Sequence, residues 1–361
     1  MSSNEPHAPV EVEYPGPTTL AENDSTDCER PSWLDRQSES LCRVLLIGLC
    51  LSSAATLVAK HHWIADLLAN LRVQQVIGVT VLLLMSIVTR RWRVSMIAVV
   101  LLVIHIPWFS AAFPTSRGGP EHDSRSDEVT VTVINVLTQN PRHDLVLQEL
   151  MLLDSDVVAV LELSTGLSNY LQSALGDRYP HVMLRPKDTS NFGIGLFSKY
   201  PLRDEDLFST HEGIHSIAAT VTVEGNSYRV FATHPLPPMN AGLFQDRNRQ
   251  LNDVAERVVS HRRRVERVSS IVVGDLNLTP WSPWFAEFQD QTGLVRALDR
   301  FSMQPTWYRY DSFPFGLVLD HCLCDPDLEC RGYEIGSDIG SDHRSVTVRL
   351  RPRDAAAARA K

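Results

Sequence analysis

Asp275 and Asn277 stand two residues apart in IVVGDLNLTP, residues 271–280, directly after an apolar run. Side chains alternate across a strand, so the acid and the amide face one way while Leu276 and Leu278 face the other. The same letters also make an ordinary tight turn, because Asp and Asn hydrogen-bond their own backbone. Five further stretches bear on that choice. Asn135 sits in VINVL, Glu162 in AVLELS, His234 in VFATHPLPP, Asp320 and His321 in LVLDHC, and Asp342 and His343 in IGSDHRSV. Each polar residue falls within or just past an apolar run. A carboxylate placed there is costly to bury unless it is paired or coordinates a cation. Imidazoles beside carboxylates supply groups that exchange protons near neutral pH.

The elements that must position these residues read out of the periodicity. Residues 129–137 alternate as a strand, 144–154 have helical spacing, and 157–163 form a short buried strand. A helix follows over 166–176. Strand-like runs then occupy 180–185, 193–198, 214–223 and 228–233, followed by a helix over 244–267 and the strand 270–274. Further strands fit 317–323, 331–335 and 345–350. Hairpins mixed with helices indicate an α/β or α+β sandwich and not a purely parallel sheet.

The first part of the chain differs in character. Residues 1–40 carry nine acids against Arg30 and Arg36 and are rich in Pro, Ser and Thr, which predicts an acidic disordered tail. Three long apolar runs follow, at 41–59, 73–89 and 94–113, each approaching the roughly 20 residues that span a bilayer as a helix. We expect three transmembrane helices over 41–113, a Gly/Pro-rich linker over 114–128, a globular domain over 129–351 and a short tail over 352–361. Arg90, Arg91 and Arg93 crowd the turn between the second and third runs, which predicts a cytoplasmic turn and a domain on the outer side. Lys60 and Arg72, in the loop between the first and second runs, weigh against that orientation but are fewer. Cys322, Cys324 and Cys330 cluster late in the chain, and a bridge from Cys324 to Cys330 across a DPDLE hairpin is feasible in an oxidising compartment.

The strand Asn, then L-E, T-H-P, G-D-x-N and S-D-H in that order, resembles the endonuclease/exonuclease/phosphatase superfamily over about residues 129–351, and with its apolar N-terminus looks most like a bacterial membrane-anchored branch. The resemblance implies a four-layer sandwich of two mixed β-sheets flanked by helices, and a divalent-metal phosphoesterase acting on a phosphodiester or phosphomonoester. It places the metal, Mg²⁺ with Mn²⁺ as the alternative, on Asn135, Glu162 and Asp342. Asp275 would orient or deprotonate the attacking water, and Asn277 would donate its amide to a phosphate oxygen. His343 would contact the phosphate and transfer protons, with Asp320 holding it, and His234 would stabilise the phosphoryl group.

Plainer readings stand beside these: Asn135 as a turn-forming amide, His234 as a structural loop histidine, Arg247 and Arg249 on a solvated helix face, and the HRRR run at 261–264 as a solvated helix end. Alternation puts His321 opposite Asp320, as a structural residue. The net charge is -9, and the part after residue 113 is itself acidic, which disfavours a duplex-DNA binder without removing nucleic acid as a partner. The expected location is the bacterial inner membrane with the domain extracytoplasmic. The rival function class is a non-catalytic, membrane-tethered binding or scaffold protein that keeps the fold.

Overall fold

The computed structural model describes residues 33–114, 127–265, 268–310 and 315–353. The acidic tail before residue 33, most of the linker and the last eight residues therefore lie outside the described residues.

Two six-stranded sheets pack face to face. The first has the order β13-β14-β1-β2-β4-β3, built from Leu328–Ile335, Val346–Pro352, Val129–Asn135, Val157–Leu161, Ile194–Ser198 and His181–Arg185. The second has the order β5-β6-β7-β8-β12-β9, built from Arg203–His211, Ile214–Val223, Asn226–Thr233, Val268–Asp275, Asp320–Cys324 and Val295–Arg296. A two-stranded ribbon joins β10, Trp307–Tyr308, to β11, Gly316–Leu317. β1 runs parallel to β2 and β7 parallel to β8, while the other pairs are antiparallel, so both sheets are mixed.

Strand alternation builds the layers. Val129, Val131 and Val133 of β1 point inward and meet Val230, Ala232, Ile271 and Val273 of the second sheet in a shared core. Ile134, Val158 and Val160 point outward, beneath α5 (His143–Leu153) and α6 (Thr165–Leu175). On the other side Phe231, Val272 and Leu323 pack under α7 (Ala241–Arg264) and α8 (Pro283–Thr292). The result is a sandwich of two mixed sheets with helices on both faces.

The N-terminal part is α1 (Trp33–Ala55), α2 (Trp63–Asn70), α3 (Arg72–Val88) and α4 (Trp92–His105), the last prolonged by a 3₁₀ segment to Ala112. The expectation of three spans is corrected. Two stretches, Arg36–Val58 and Trp92–Ala112, are long and apolar enough to cross a membrane, while α2 and α3 form a pair bent by 66° that counts as a span only if taken together. The run at 73–89 is a helix of 17 residues, short for a span by itself, and its extension is the separate helix α2. Val44, Leu51, Leu84, Met96 and Val103 are exposed on the outside of this bundle. Glu39 near the start of α1 reaches Arg91 in the basic turn (3.7 Å), so that turn lies at the end of the bundle away from the sandwich.

Cys322, Cys324 and Cys330 are free thiols. The DPDLE segment does not make a hairpin. It carries the chain from β12 in one sheet to β13 in the other, so the two cysteines are not cross-strand neighbours.

Candidate active site

Strand ends converge at one edge of the sandwich. β1 closes on Asn135, β2 is followed by Glu162, β7 by His234, and β8 closes on Asp275. Register fixes the neighbours: Asn135 lies opposite Leu161, Thr233 opposite Gly274, and Asp320 opposite Asp275. Gly274 is required for this, because a Cβ there would lie 1.9 Å from the carbonyl oxygen of Thr233. Three non-glycine residues around the convergence have positive φ, Leu137 (60°), Glu162 (58°) and Asn277 (49°). Such backbone conformations cost free energy and persist where the surroundings impose them. Here the chain leaves each strand sharply and turns a polar side chain into the cleft.

Asp275 is the hub. It is buried, and its Oδ2 lies 3.5 Å from His234 Nε2, 3.6 Å from His343 Nε2 and 3.4 Å from Asn135 Nδ2. Its Oδ1 accepts the backbone N–H of Asn277 (2.9 Å). Burial alone would push this carboxyl up, but the hydrogen bond with His234 and the charges of both imidazoles outweigh it and hold the group at about 2. His343 Nδ1 pairs with Asp320 Oδ2 at 2.8 Å. Burial works against its protonation, yet Asp320 and Asp275 raise it to about 10. His234 is raised too, its burial offset by Asp275 and Glu162, and its ring packs 5.2 Å from that of Phe192. The centre is thus a carboxylate set between two imidazole rings, one of them backed by a second carboxylate.

The Ser341 hydroxyl ties the S-D-H loop to the first sheet, donating to the Asn135 carbonyl (2.8 Å) and accepting the His343 N–H (3.1 Å). Thr306 Oγ1 accepts the backbone N–H of Asp320 (2.9 Å).

Glu162 is buried beside this centre. Its Oε1 accepts from Asn135 Nδ2 (3.0 Å) and its Oε2 from the Thr138 N–H (3.3 Å). Burial raises its carboxyl, against the pull of His234 and of the Asn135 hydrogen bond. Among the described residues no Lys or Arg lies within ion-pair distance of Glu162. Glu162, Asp275 and Asp320 outnumber the two imidazoles, so the cluster is rich in carboxylate oxygens, and burial raises both Glu162 and Asp320. A hard divalent cation on the Glu162 side fits this donor set. Asp275, Asp320 and His343 also bring ligand atoms within 4.8 Å of one another. That trio is a less suitable cage, because the His343 Nδ1 is already committed to Asp320 and its Nε2 faces Asp275. Asn135 presents its amide nitrogen to Glu162 while its Oδ1 accepts the Leu137 N–H (3.2 Å), so as placed it orients Glu162. Asp342 is exposed at the rim, with Oδ2 accepting from Trp307 Nε1 (2.9 Å). Asn277 Nδ2 donates to the Pro235 carbonyl (2.9 Å), which joins the G-D-x-N turn to the T-H-P loop.

All eight expected site residues lie in this region, and a cavity of about 550 Å³ is lined by Glu162, His234, Asp275, Asn277, Asp342 and His343. His321 is on the opposite face, where its Nε2 bonds the Leu278 carbonyl (2.8 Å) and burial, aided by Arg296, lowers it to about 3. Arg247 is not on the solvated helix face expected of it. It is fully buried and paired with Asp66 of α2 at 2.7 Å. Arg249 is exposed and paired with Asp246, and in the HRRR run Arg262 pairs with Asp325.

Leu67 and Asn70 of α2 also line the cavity, with Phe192, Met239 and Trp307. Spacing could have found Asp66 and Asn70, four apart and therefore on one helix face. Nothing local could have shown what that face meets.

The structure resembles that of D. rerio TDP2 complexed with single strand DNA product, at 18% identity over 62% of this chain and 98% of that one, with a TM-score of 0.52. It also resembles the human Nocturnin catalytic domain with bound sulfate anion (19% identity, 62% and 94% coverage, TM-score 0.50). A third is an endonuclease/exonuclease/phosphatase from Beutenbergia cavernae (20%, 63% and 72%, TM-score 0.50). At such identities the likeness is one of fold. No curated protein matches the sequence. The sequence itself matches the Endonuclease/Exonuclease/phosphatase family model over residues 133–343, a span that starts in β1 just before Asn135 and closes on His343. With the sandwich, the converging strand ends and that match in agreement, this chain belongs to the endonuclease/exonuclease/phosphatase family.

Proposed function

We propose that this protein is a membrane-anchored, Mg²⁺-dependent phosphoesterase that hydrolyses a phosphodiester or phosphomonoester by attack of water. Members of its family are generally hydrolases of phosphoester bonds. The observation that carries the reading is Asp275 lying between the Nε2 atoms of His234 and His343, with Asp320 behind His343.

Phosphoryl transfer needs the substrate placed in line with its nucleophile and the charge on the phosphoryl oxygens offset. His234 and His343, both shifted toward their protonated forms by neighbouring carboxylates, offer N–H donors to an anionic phosphoryl group. Asp275, ionised and accepting, orients a water and takes up its proton. Asp320 keeps the His343 ring in place and its charge stable, so His343 can give a proton to the leaving oxygen. Held by Glu162, a divalent cation would offset charge on the phosphoryl oxygens. Glu162 for its part is aimed by Asn135 and Thr138.

Full-length protein in detergent should hydrolyse bis(p-nitrophenyl) phosphate or p-nitrophenyl phosphate when Mg²⁺ or Mn²⁺ is supplied and stop on addition of EDTA. Folded protein with no turnover of either ester under any divalent cation would support the scaffold reading instead.

The topology can be tested separately. The sandwich joins the ends of α1 and α4 opposite the basic turn, and basic loops favour the cytoplasm. We propose on this basis an extracytoplasmic catalytic domain in a bacterial inner membrane. An alkaline phosphatase reporter fused after residue 353 should be active, and a reporter in the 89–92 turn inactive. The reverse pattern overturns the orientation.

A further inference from the structure

The cleft is built partly from the membrane-side helices. α2 docks on the sandwich through Asp66 and Asn70, the latter accepting both the N–H (2.6 Å) and the hydroxyl (3.0 Å) of Thr279. The start of α3 adds Arg72, which donates to the Trp281 carbonyl (3.0 Å), and Gln74, which donates to the Gly316 carbonyl (3.0 Å). With its polar face spent on this docking, α2 leaves Leu67 half-buried as one wall of the cavity above Asp275 and His343.

Away from the carboxylates and histidines the lining is mostly apolar, with Phe192, Pro238, Met239, Trp307, Leu317 and Leu319 beside the amide of Asn191. Among the described residues no Lys or Arg lines the cavity. A nucleic-acid strand presents a phosphate at every nucleotide and is held by rows of basic groups and exposed aromatic stacking surfaces. Here the two histidines serve one phosphoryl group, and what surrounds it calls for hydrocarbon.

The cleft also borders the apolar helices, since Leu67 and Asn70 of α2 line it. α3 rises about 26 Å over its 17 residues, close to the thickness of a bilayer core of roughly 30 Å. α2 meets the sandwich end of α3 at a 66° bend, so with the long apolar helices across a bilayer α2 would lie close to the membrane surface. Trp92 at the far end of the bundle and Trp108 at the near end, under the Arg72 guanidinium (4.0 Å), mark two levels suited to indole at a membrane interface. At the near level the sandwich exposes Met239, Phe301 and Phe315, with Phe301 5.0 Å from Phe113 at the end of the bundle.

We infer that the substrate is a membrane amphiphile with a single phosphoester, which enters past Leu67 with its phosphoryl group on His234 and His343 and its hydrocarbon along Leu67, Phe192 and Met239. The inference rests on the phosphoesterase reading and names the substrate class for that same site. It would not follow for a cleft facing away from the helices or for one carrying basic side chains.

The test uses the full chain in detergent, with bis(p-nitrophenyl) phosphate turnover as readout and a series of n-alkyl phosphates from butyl to dodecyl as inhibitors. Inhibition should tighten at least about tenfold along the series, a small part of what full burial of eight methylenes would give. An uncharged dodecyl glycoside should not inhibit. In Leu67→Glu, and separately in Met239→Glu, the dependence on chain length should flatten. A flat series in the wild-type protein overturns the substrate class while leaving the phosphoesterase reading standing. So does tighter inhibition by a single-stranded oligonucleotide than by dodecyl phosphate. Absence of any turnover fails the underlying reading, and the substrate class falls with it.

Discussion

Asp275→Asn protein turns over bis(p-nitrophenyl) phosphate about 10³-fold more slowly than wild type, within the 10²–10⁴ range that a positioned acid or base contributes. The change is nearly isosteric. The substituted amide would keep an oxygen for the Asn277 N–H, so the G-D-x-N turn and the β8–β12 pairing survive and thermal stability changes little. What disappears is the negative charge between two imidazoles. His234 is shifted toward its protonated form chiefly by it, and His343 by Asp320 first and by Asp275 after, so with the carboxylate gone each ring becomes easier to deprotonate, His234 the more so. Water then has no base, and the phosphoryl oxygens lose part of their positive surroundings. The loss should fall on kcat with KM changed less, because the interaction matters most as charge develops in the transition state. A variant that unfolds at the wild-type temperature yet keeps kcat within a few-fold of wild type would remove Asp275 from the reaction.

The strands carrying these residues were legible because each is an apolar run with turn residues at its end. β1, β2, β7 and β8 lie within a few residues of where the alternation puts them, and it is their ends that meet. β5 was not legible: RDEDLFSTH is an edge strand with only Phe208 buried, so its charged residues carry no alternation signal. α8 begins with Ser282 capping the Trp284 N–H and Pro283 in the first turn, a start signal that was present and not read. α2 is the larger omission. Eight residues between two long apolar runs read as a loop, and its function resides in partners roughly 180 to 210 residues away, Arg247 and Thr279. Cys324 and Cys330 misled in the opposite sense. Their spacing suits a hairpin, but where a chain crosses between two packed sheets sequence proximity no longer means strand pairing.

The same distant contacts carry the second large effect. Asp66→Ala should destabilise the protein by about 3–5 kcal/mol, the usual cost of leaving one member of a buried ion pair without its partner. Arg247 is fully buried, and Asp66 is its only carboxylate partner among the described residues. Its other contacts are the Asn248 side chain (2.9 and 2.8 Å) and the Asn277 carbonyl (3.4 Å). Arg247 therefore joins α2 to the turn that follows Asp275, which Asn70 grips two residues further on at Thr279. Loss of Asp66 should loosen that turn, so kcat falls along with the melting temperature. Asp66→Leu combined with Arg247→Met removes both charges and fills the space with hydrocarbon. It should recover most of the stability, since a buried pair is often no more stabilising than well-packed apolar groups. A double-mutant cycle then separates the pair's coupling from the effect of packing. Single-variant stability within about 1 kcal/mol of wild type, a typical surface-pair value, would mean the pair is no latch. A sandwich expressed without residues 1–113 should behave like the single variant or worse. It lacks Asp66 for Arg247, Asn70 for Thr279 and Arg72 for the Trp281 carbonyl, and it uncovers Trp281, which clusters with Ala112 and packs against the Phe109 ring. In this chain the N-terminal helices brace the turn that carries Asp275 and Asn277.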